Sequence, residues 1–197
     1  MSYLLASLRN PVRTATLAST TTACAEQFVG DIGLSSAKRV VELGAGSGSV
    51  TSVLRRQLPT EAELLAVEVS PILAKQLRRR CAGLGVDVIH GSAFQLPELL
   101  AERGMDNVDH VVSTLPWTML SAQQQRDLLG TIRDVLDPTG TFSTLLAAHR
   151  FDSKSGRLFG RLLREQFDEV RPGRVFWPNL PPLRPYHCSP YGDPPRN

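Results

Sequence analysis

Between residues 39 and 147, short apolar runs alternate with stretches of helical periodicity. Arg39-Val40-Val41-Glu42-Leu43 is a short run stopped by Gly44. Residues 50–57 carry apolar positions at helical spacing, and Pro59 follows. Leu64-Leu65-Ala66-Val67-Glu68 is the next run. Ser70 and Pro71 then start a helix, Ser as N-cap and Pro in the first turn. It runs to about Cys81 and stops before Gly83. Val86-Asp87-Val88-Ile89 predicts a third strand and residues 108–113 a fourth. Residues 121–136 predict an amphipathic helix closed by Asp137-Pro138-Thr139-Gly140, and residues 141–147 a fifth strand. Strands and helices alternating at this spacing predict a parallel sheet with helices on both faces.

The flanks differ from this core. Residues 1–38 read as helical and peripheral. Tyr3, Leu4, Leu5 and Leu8 share one helical face, and Pro11 ends the segment. A Thr/Ser-rich stretch follows, and residues 24–32 read as a second helix. Beyond residue 147, residues 156–167 predict a helix, and residues 168–175 and 183–188 predict two strands joined by a proline-rich loop. The expected organisation is an N-terminal helical segment (1–38), a core domain (39–190) and a tail (191–197), with no internal repeat.

Composition narrows the class. A chain of 197 residues is expected to form one domain. With 42% hydrophobic and 21% charged residues it matches average globular proteins, which argues against disorder or a secreted scaffold. No run approaches the ~20 apolar residues of a membrane span, and no signal peptide is expected. The net charge of +3 is well short of a dedicated nucleic-acid binder and compatible with an anionic membrane surface. Cys24, Cys81 and Cys188 are far apart and odd in number, so neither a disulfide framework nor a metal site is expected. A reducing cytoplasm is the expected compartment.

The most informative segment is Glu42-Leu43-Gly44-Ala45-Gly46-Ser47-Gly48, where a strand ends in a Gly-rich turn that opens a helix. Glycines allow close backbone approach to a ligand, and such turns lie where doubly wound sheets bind ligands. Glu68 ends the second strand, where an acidic side chain can accept both ribose hydroxyls of an adenosine. Ser49 stands where the third Gly of a dinucleotide fingerprint would fall. Glu42 would repel a pyrophosphate but suits a sulfonium and an ammonium, which favours S-adenosylmethionine over NAD.

From about residue 40 to residue 146 the chain resembles the class I S-adenosylmethionine-dependent methyltransferases. The resemblance rests on the E-L-G-A-G-S-G turn, on Glu68, on His90-Gly91-Ser92-Ala93-Phe94 after the third strand, and on Ser113-Thr114-Leu115-Pro116-Trp117 after the fourth. It implies an α/β, Rossmann-like, doubly wound and mostly parallel seven-stranded sheet, with the N-terminal helices over the cofactor pocket. It also implies that Glu42, Gly44, Ala45 and Gly46 line the methionine and ribose part of S-adenosylmethionine. Glu68 would hold the ribose hydroxyls, Val69 would pack on the adenine, and Ser92 and Ala93 would border its amine. No metal is implied.

Ser113-Thr114-Leu115-Pro116-Trp117 also resembles the N-L-P-[Y/F] motif of amino methyltransferases, with Ser113 in place of the amide and Trp117 at the aromatic position. There the first residue takes hydrogen bonds from the target amine, and the aromatic stacks on the acceptor. The nearest family resemblance is to bacterial phospholipid N-methyltransferases. Leu8-Arg9-Asn10-Pro11 looks like their R-N-P segment, Val112-Ser113-Thr114-Leu115-Pro116 like their V-S-x-L-P, and Asn179-Leu180-Pro181-Pro182 like their N-L-P-P. This implies transfer of a methyl group to the amine of phosphatidylethanolamine, with a soluble small-molecule acceptor as the alternative. A catalytically silent adenosine-binding protein is a third reading, and nucleic acid is not an expected partner. Ser113, Trp117, His149 and Tyr186 are the candidate catalytic residues, and Ser113 is expected at the cofactor as well. His149 and Arg150 would meet an acceptor phosphate or carboxylate, and Tyr186 and His187 would accept the proton of an ammonium. Residues 2–13, with Arg9 and Arg13, are expected to touch an anionic inner-membrane face weakly or to act as a lid; the two roles can coexist.

Overall fold

The structure, a computed structural model, describes residues 20–190. The expected membrane contact or lid at residues 2–13 and the tail at 191–197 lie outside the described residues. The first described helix is α1 (Thr22–Gly30). Then come β1 (Arg39–Leu43), α2 (Ser49–Gln57), β2 (Glu63–Glu68), α3 (Pro71–Arg80) and β3 (Val86–His90). The chain continues through α4 (Leu96–Ala101), β4 (Val108–Ser113), α5 (Ala122–Val135) and β5 (Leu136–Ala147). It closes with α6 (Lys154–Gln166), β6 (Glu169–Pro172) and β7 (Leu183–Ser189).

The seven strands form one sheet in the order β3-β2-β1-β4-β5-β7-β6. The first five strands are parallel, and β7 runs antiparallel to both its neighbours. The parallel sheet expected from the alternation, and the doubly wound, mostly parallel seven-stranded form implied by the resemblance, are therefore present.

Side-chain alternation along β1 sorts the two faces. Val41 and Leu43 join Leu96 and Leu100 of α4, Leu128 and Ile132 of α5, and Phe159 and Leu162 of α6. Val40 points the other way, into a cluster with Phe28 and Val29 of α1 and Val53 and Leu54 of α2. Leu77 of α3 packs beside Ala66 and Val88 on a third, smaller cluster. The strands read as apolar runs because both their faces are covered.

Two local expectations change. Residues 22–30 are not peripheral: Cys24, Ala25, Phe28 and Val29 are all buried against the sheet. Thr21 caps the helix, its Oγ1 accepting from Cys24 N at 3.2 Å. The turn expected at 137–140 lies inside β5 as a bulge. Leu136 pairs with Val108 and Thr141 with His110, so residues 137–140 stand opposite Asp109 alone. Asp137 Oδ1 accepts from Thr139 N at 3.1 Å, so the turn chemistry is local and the strand resumes after it.

Candidate functional site

The carboxyl ends of all five parallel strands lie at one end of the sheet, and their following loops meet there. Gly44 N and Ala45 N both donate to Val67 O, at 2.9 and 3.2 Å. Thr114 N donates to Leu43 O at 3.1 Å, and Thr114 Oγ1 to Gly44 O at 2.7 Å. The turn after β1 is thus stitched to the end of β2 and to the loop after β4. Glycine is required at two of its positions. Gly44 has φ 83°, and a Cβ there would stand 2.9 Å from Leu115 Cδ2. Gly48 has φ 87° and caps α2 without a side chain, and a Cβ there would collide with Leu77. Both need a left-handed backbone and space that another residue would fill.

Two carboxylates face the turn. Glu68 is 7% exposed, and its two oxygens each take a backbone N–H: Gly46 N to Oε2 and Ser70 N to Oε1, both at 2.8 Å. This fixes the carboxylate while each oxygen keeps a free lone pair. Glu42 sits on the α1–α2 side of the sheet and is fully buried. Its Oε2 accepts from Thr51 Oγ1 at 2.5 Å, while Oε1 has no partner among the described residues. Burial pushes the Glu42 carboxyl up to about 8; the Thr51 hydrogen bond works against that rise and repulsion from Glu68 adds to it.

These groups border a cavity of about 510 Å³. Gly44, Ala45, Gly46 and Ser47 form one wall, and Val69, Ser70 and Leu73 continue it. Ser92, Ala93 and Phe94 close one side. Thr114, Leu115 and Pro116 lie opposite, and His149, Arg150 and Pro181 stand around the rim. An orphaned buried carboxylate oxygen suits a cation. The uncapped N-terminus of α2 suits an anion. A doubly anchored carboxylate suits a diol. An adenosine bearing an ammonium and a carboxylate, as S-adenosylmethionine does, fits this set.

Of the residues expected at the cofactor, Glu42, Gly44, Ala45, Gly46, Glu68, Val69, Ser92 and Ala93 border the cavity, and Ser113 does not. The Ser92 hydroxyl is also a helical cap, accepting from Phe94 N at 3.3 Å. Three expected catalytic residues need correction. Ser113 is fully buried and its Oγ accepts from Leu115 N at 3.3 Å. The side chain therefore turns into its own loop, and Thr114 is the residue that reaches the cavity. Trp117 contributes to the wall, yet its ring is 1% exposed and stacks on Phe159 with centroids 5.0 Å apart. Its Nε1 donates to Thr144 Oγ1 at 2.9 Å, so the ring is fixed in the core and not free to stack on an acceptor. Tyr186 pairs with Thr144, three residues below the Ala147–Leu183 edge, and packs on the core away from the cavity. His187 is also held inside, its Nδ1 2.9 Å from Ser143 Oγ, with burial lowering its pKa. His149 alone of the four catalytic candidates is an exposed side chain on the rim, with Arg150 Nε donating to its Nε2 at 3.1 Å.

Sequence reasoning missed Leu73, Phe94, Thr114, Leu115 and Met119 as cavity residues. Four of the five follow strands by a few residues, which is the signal that marks them.

Comparison with known proteins agrees with this geometry. The family described as a methyltransferase domain matches residues 40–140. An ornithine lipid N-methyltransferase of Singulisphaera acidiphila is 36% identical over 154 residues, covering 77% of this chain and 76% of the relative. Among solved structures, fibrillarin of Aeropyrum pernix with natively bound S-adenosylmethionine superposes with a TM-score of 0.65 at 16% identity, covering 85% of this chain and 74% of that one. Precorrin-6y C5,15-methyltransferase of Geobacter metallireducens gives 0.65 at 16% identity, covering 88% and 90%. At those identities the structures show the shared fold alone, whereas the family match and the relative carry the assignment. With a cavity whose buried carboxylates suit this cofactor, the chain belongs to the class I S-adenosylmethionine-dependent methyltransferases.

Proposed function

We propose that the methyl acceptor is the amine of a lipid head group. The observation that carries this reading is the 36% identity to an ornithine lipid N-methyltransferase across about three-quarters of both chains. The cavity supports it. It opens at the rim, and its acceptor side is built from Leu115, Pro116, Met119, Leu120 and Leu146, which suits a head group followed by acyl chains.

S-adenosylmethionine supplies an electrophilic methyl group on a sulfonium. In this reading the protein's own work is to bind, align and exclude water. Glu68 takes the ribose hydroxyls and Glu42 the methionine ammonium. Val69 packs on the adenine, with Ser92 and Ala93 at its amine. Thr114 and the loop around it position the acceptor nitrogen. An amine attacks through its lone pair, so a head-group ammonium must first lose a proton. In this reading His149 accepts it, a role supported by its exposed position at the cavity. Arg150 beside it suits the head group's phosphate or carboxylate. No helix among the described residues is long and apolar enough to cross a membrane.

Methyl transfer from labelled S-adenosylmethionine into vesicles of phosphatidylethanolamine, and in parallel of ornithine lipid, tests this directly. Label in the methylated lipid of either is the expected result. Binding of the cofactor with no label in either lipid, and label in a small polar amine instead, moves the acceptor to the soluble class.

A further inference from the structure

The exposed apolar side chains are not spread evenly. The described residues include five large hydrophobics with high exposure: Ile72, Leu84, Met119, Trp177 and Leu180. Leu84 lies at the amino end of β3. The other four follow the carboxyl ends of strands, on the face where the cavity opens. The two most exposed, Trp177 at 70% and Leu180 at 88%, share the tip of the β6–β7 connection.

That tip is held from behind. Phe176 N donates to Leu183 O at 2.7 Å, closing the neck of the connection. Asn179 is 1% exposed; its Oδ1 accepts from Thr21 N at 3.0 Å and its Nδ2 donates to Pro181 O at 3.0 Å. The polar residue of the tip therefore points inward, and the Trp and Leu point outward. This is the reverse of what water alone would select. Pro181 and Leu183 border the cavity, so the tip stands at its mouth. Arg150, Lys154 and Arg174 are exposed on the same face, with Asp152 as the acidic group among them. An indole beside an aliphatic side chain, flanked by cations, matches the interfacial layer of an anionic bilayer.

We infer that residues 177–180 are a membrane-docking element, in which Trp177 and Leu180 enter the head-group and acyl boundary of an anionic bilayer and hold the cavity mouth against the lipid surface. This deepens the lipid-acceptor reading and rests on it, since docking at the mouth serves only a substrate that arrives from the membrane.

The full chain carries its own probe. It has two tryptophans, Trp117 buried and Trp177 exposed, so a change of environment at the surface reads on Trp177. Without vesicles, iodide should quench the Trp177 emission. With vesicles of phosphatidylglycerol and phosphatidylethanolamine, the emission should move to the blue, escape iodide and be quenched by lipids brominated near the top of the acyl chain. The paired substitutions Trp177→Ser and Leu180→Ser should lower vesicle binding and methyl transfer into vesicles by roughly tenfold. They should leave methyl transfer to a monomeric, short-chain analogue of the same head group unchanged. Emission that does not respond to vesicles overturns the docking element, even where the lipid is methylated. Emission already shielded from iodide without vesicles also overturns it, because the tip is then covered by the chain itself or by a second copy. A Trp177 response with no methylated lipid leaves docking standing and defeats the lipid-acceptor reading instead.

Discussion

Thr51 Oγ1 donates to Glu42 Oε2 at 2.5 Å, and among the described residues Thr51 is the single side-chain partner of this fully buried carboxyl group. β1 supplies the carboxyl and α2 the hydroxyl, so the contact ties the first strand to the helix that follows the glycine turn. It leaves Oε1 available on the side where an ammonium is proposed to bind.

The consequence for stability has a definite sign. Burial raises the Glu42 carboxyl from 4.5 to about 8. Below the lower value the group is protonated in both the folded and the unfolded chain. As pH rises toward 8 the unfolded chain releases this proton and the folded chain retains it, so the folded state loses stability across that window. Glu42→Gln removes this dependence. The cofactor-free variant should melt higher than the parent near pH 8, by roughly 2–4 °C, with little difference at pH 4.5. Cofactor affinity should move the opposite way. A cation against the carboxylate favours ionisation, so binding at pH 7 should release a proton in the parent and none from this position in Glu42→Gln. Calorimetry in buffers of different ionisation enthalpy measures it, and equal proton release in both proteins would remove Glu42 from the ammonium site.

Glu68 is tested by affinity and stability together. Its carboxylate anchors Gly46 N and Ser70 N, and its remaining lone pairs are assigned to the ribose. Loss of a charge-assisted pair of contacts costs about 1.5–3 kcal/mol. Glu68→Ala should therefore raise the cofactor dissociation constant by at least tenfold. It should also lower the melting temperature without cofactor, because two backbone donors lose their partner. A lower melting temperature with an unchanged dissociation constant would make Glu68 a loop anchor alone.

Trp117 separates the core from the acceptor site. Its ring packs on Phe159 and meets Phe142 edge-on with centroids 5.8 Å apart. Trp117→Ala should destabilise the fold by about 3–5 kcal/mol. Trp117→Phe keeps most of the packing and loses only the hydrogen bond to Thr144, so its KM for the acceptor should stay within about twofold of the parent. A Trp117→Phe protein of normal stability with a much raised acceptor KM would return the ring to the acceptor site.

The strands were legible because apolar runs of five or six residues bounded by turn residues leave little choice for a chain buried on both faces. The cofactor wall followed, since a glycine turn after β1 and an acid at the end of β2 fix positions along the backbone. The acceptor side was harder to read. Which side chain of a loop enters a cavity depends on backbone direction after the strand ends, and the motif Ser113-Thr114-Leu115-Pro116-Trp117 does not encode it. There Ser113 and Trp117 turned inward and Thr114 to Pro116 faced the cavity. Tyr186 was misplaced for another reason. Its distance from the edge of the sheet depends on the register of β7 against β5, a long-range pairing that no local pattern reports. The helix α4 escaped notice because its six residues are too few for periodicity to show.

His149 is the residue proposed to carry the remaining chemical step. It follows β5 directly and stands exposed on the rim; its Nε2 accepts from Arg150 Nε at 3.1 Å, so Nε2 is the basic nitrogen of the neutral ring, and it takes a proton once the exposed Arg150 side chain swings aside. Accepting a proton from the head-group ammonium affects the rate and not the affinity for S-adenosylmethionine, whose proposed contacts lie on β1, β2 and the loops after β1, β2 and β3. His149→Ala should lower kcat for a lipid amine by roughly 10²-fold with the cofactor dissociation constant unchanged. His149→Gln can hydrogen-bond but cannot carry the proton, and should be as slow. If the rate of His149→Gln matches the parent, the residue orients the head group and the proton leaves to water at the open mouth. Steady-state rates of the three proteins on the same vesicles decide between these.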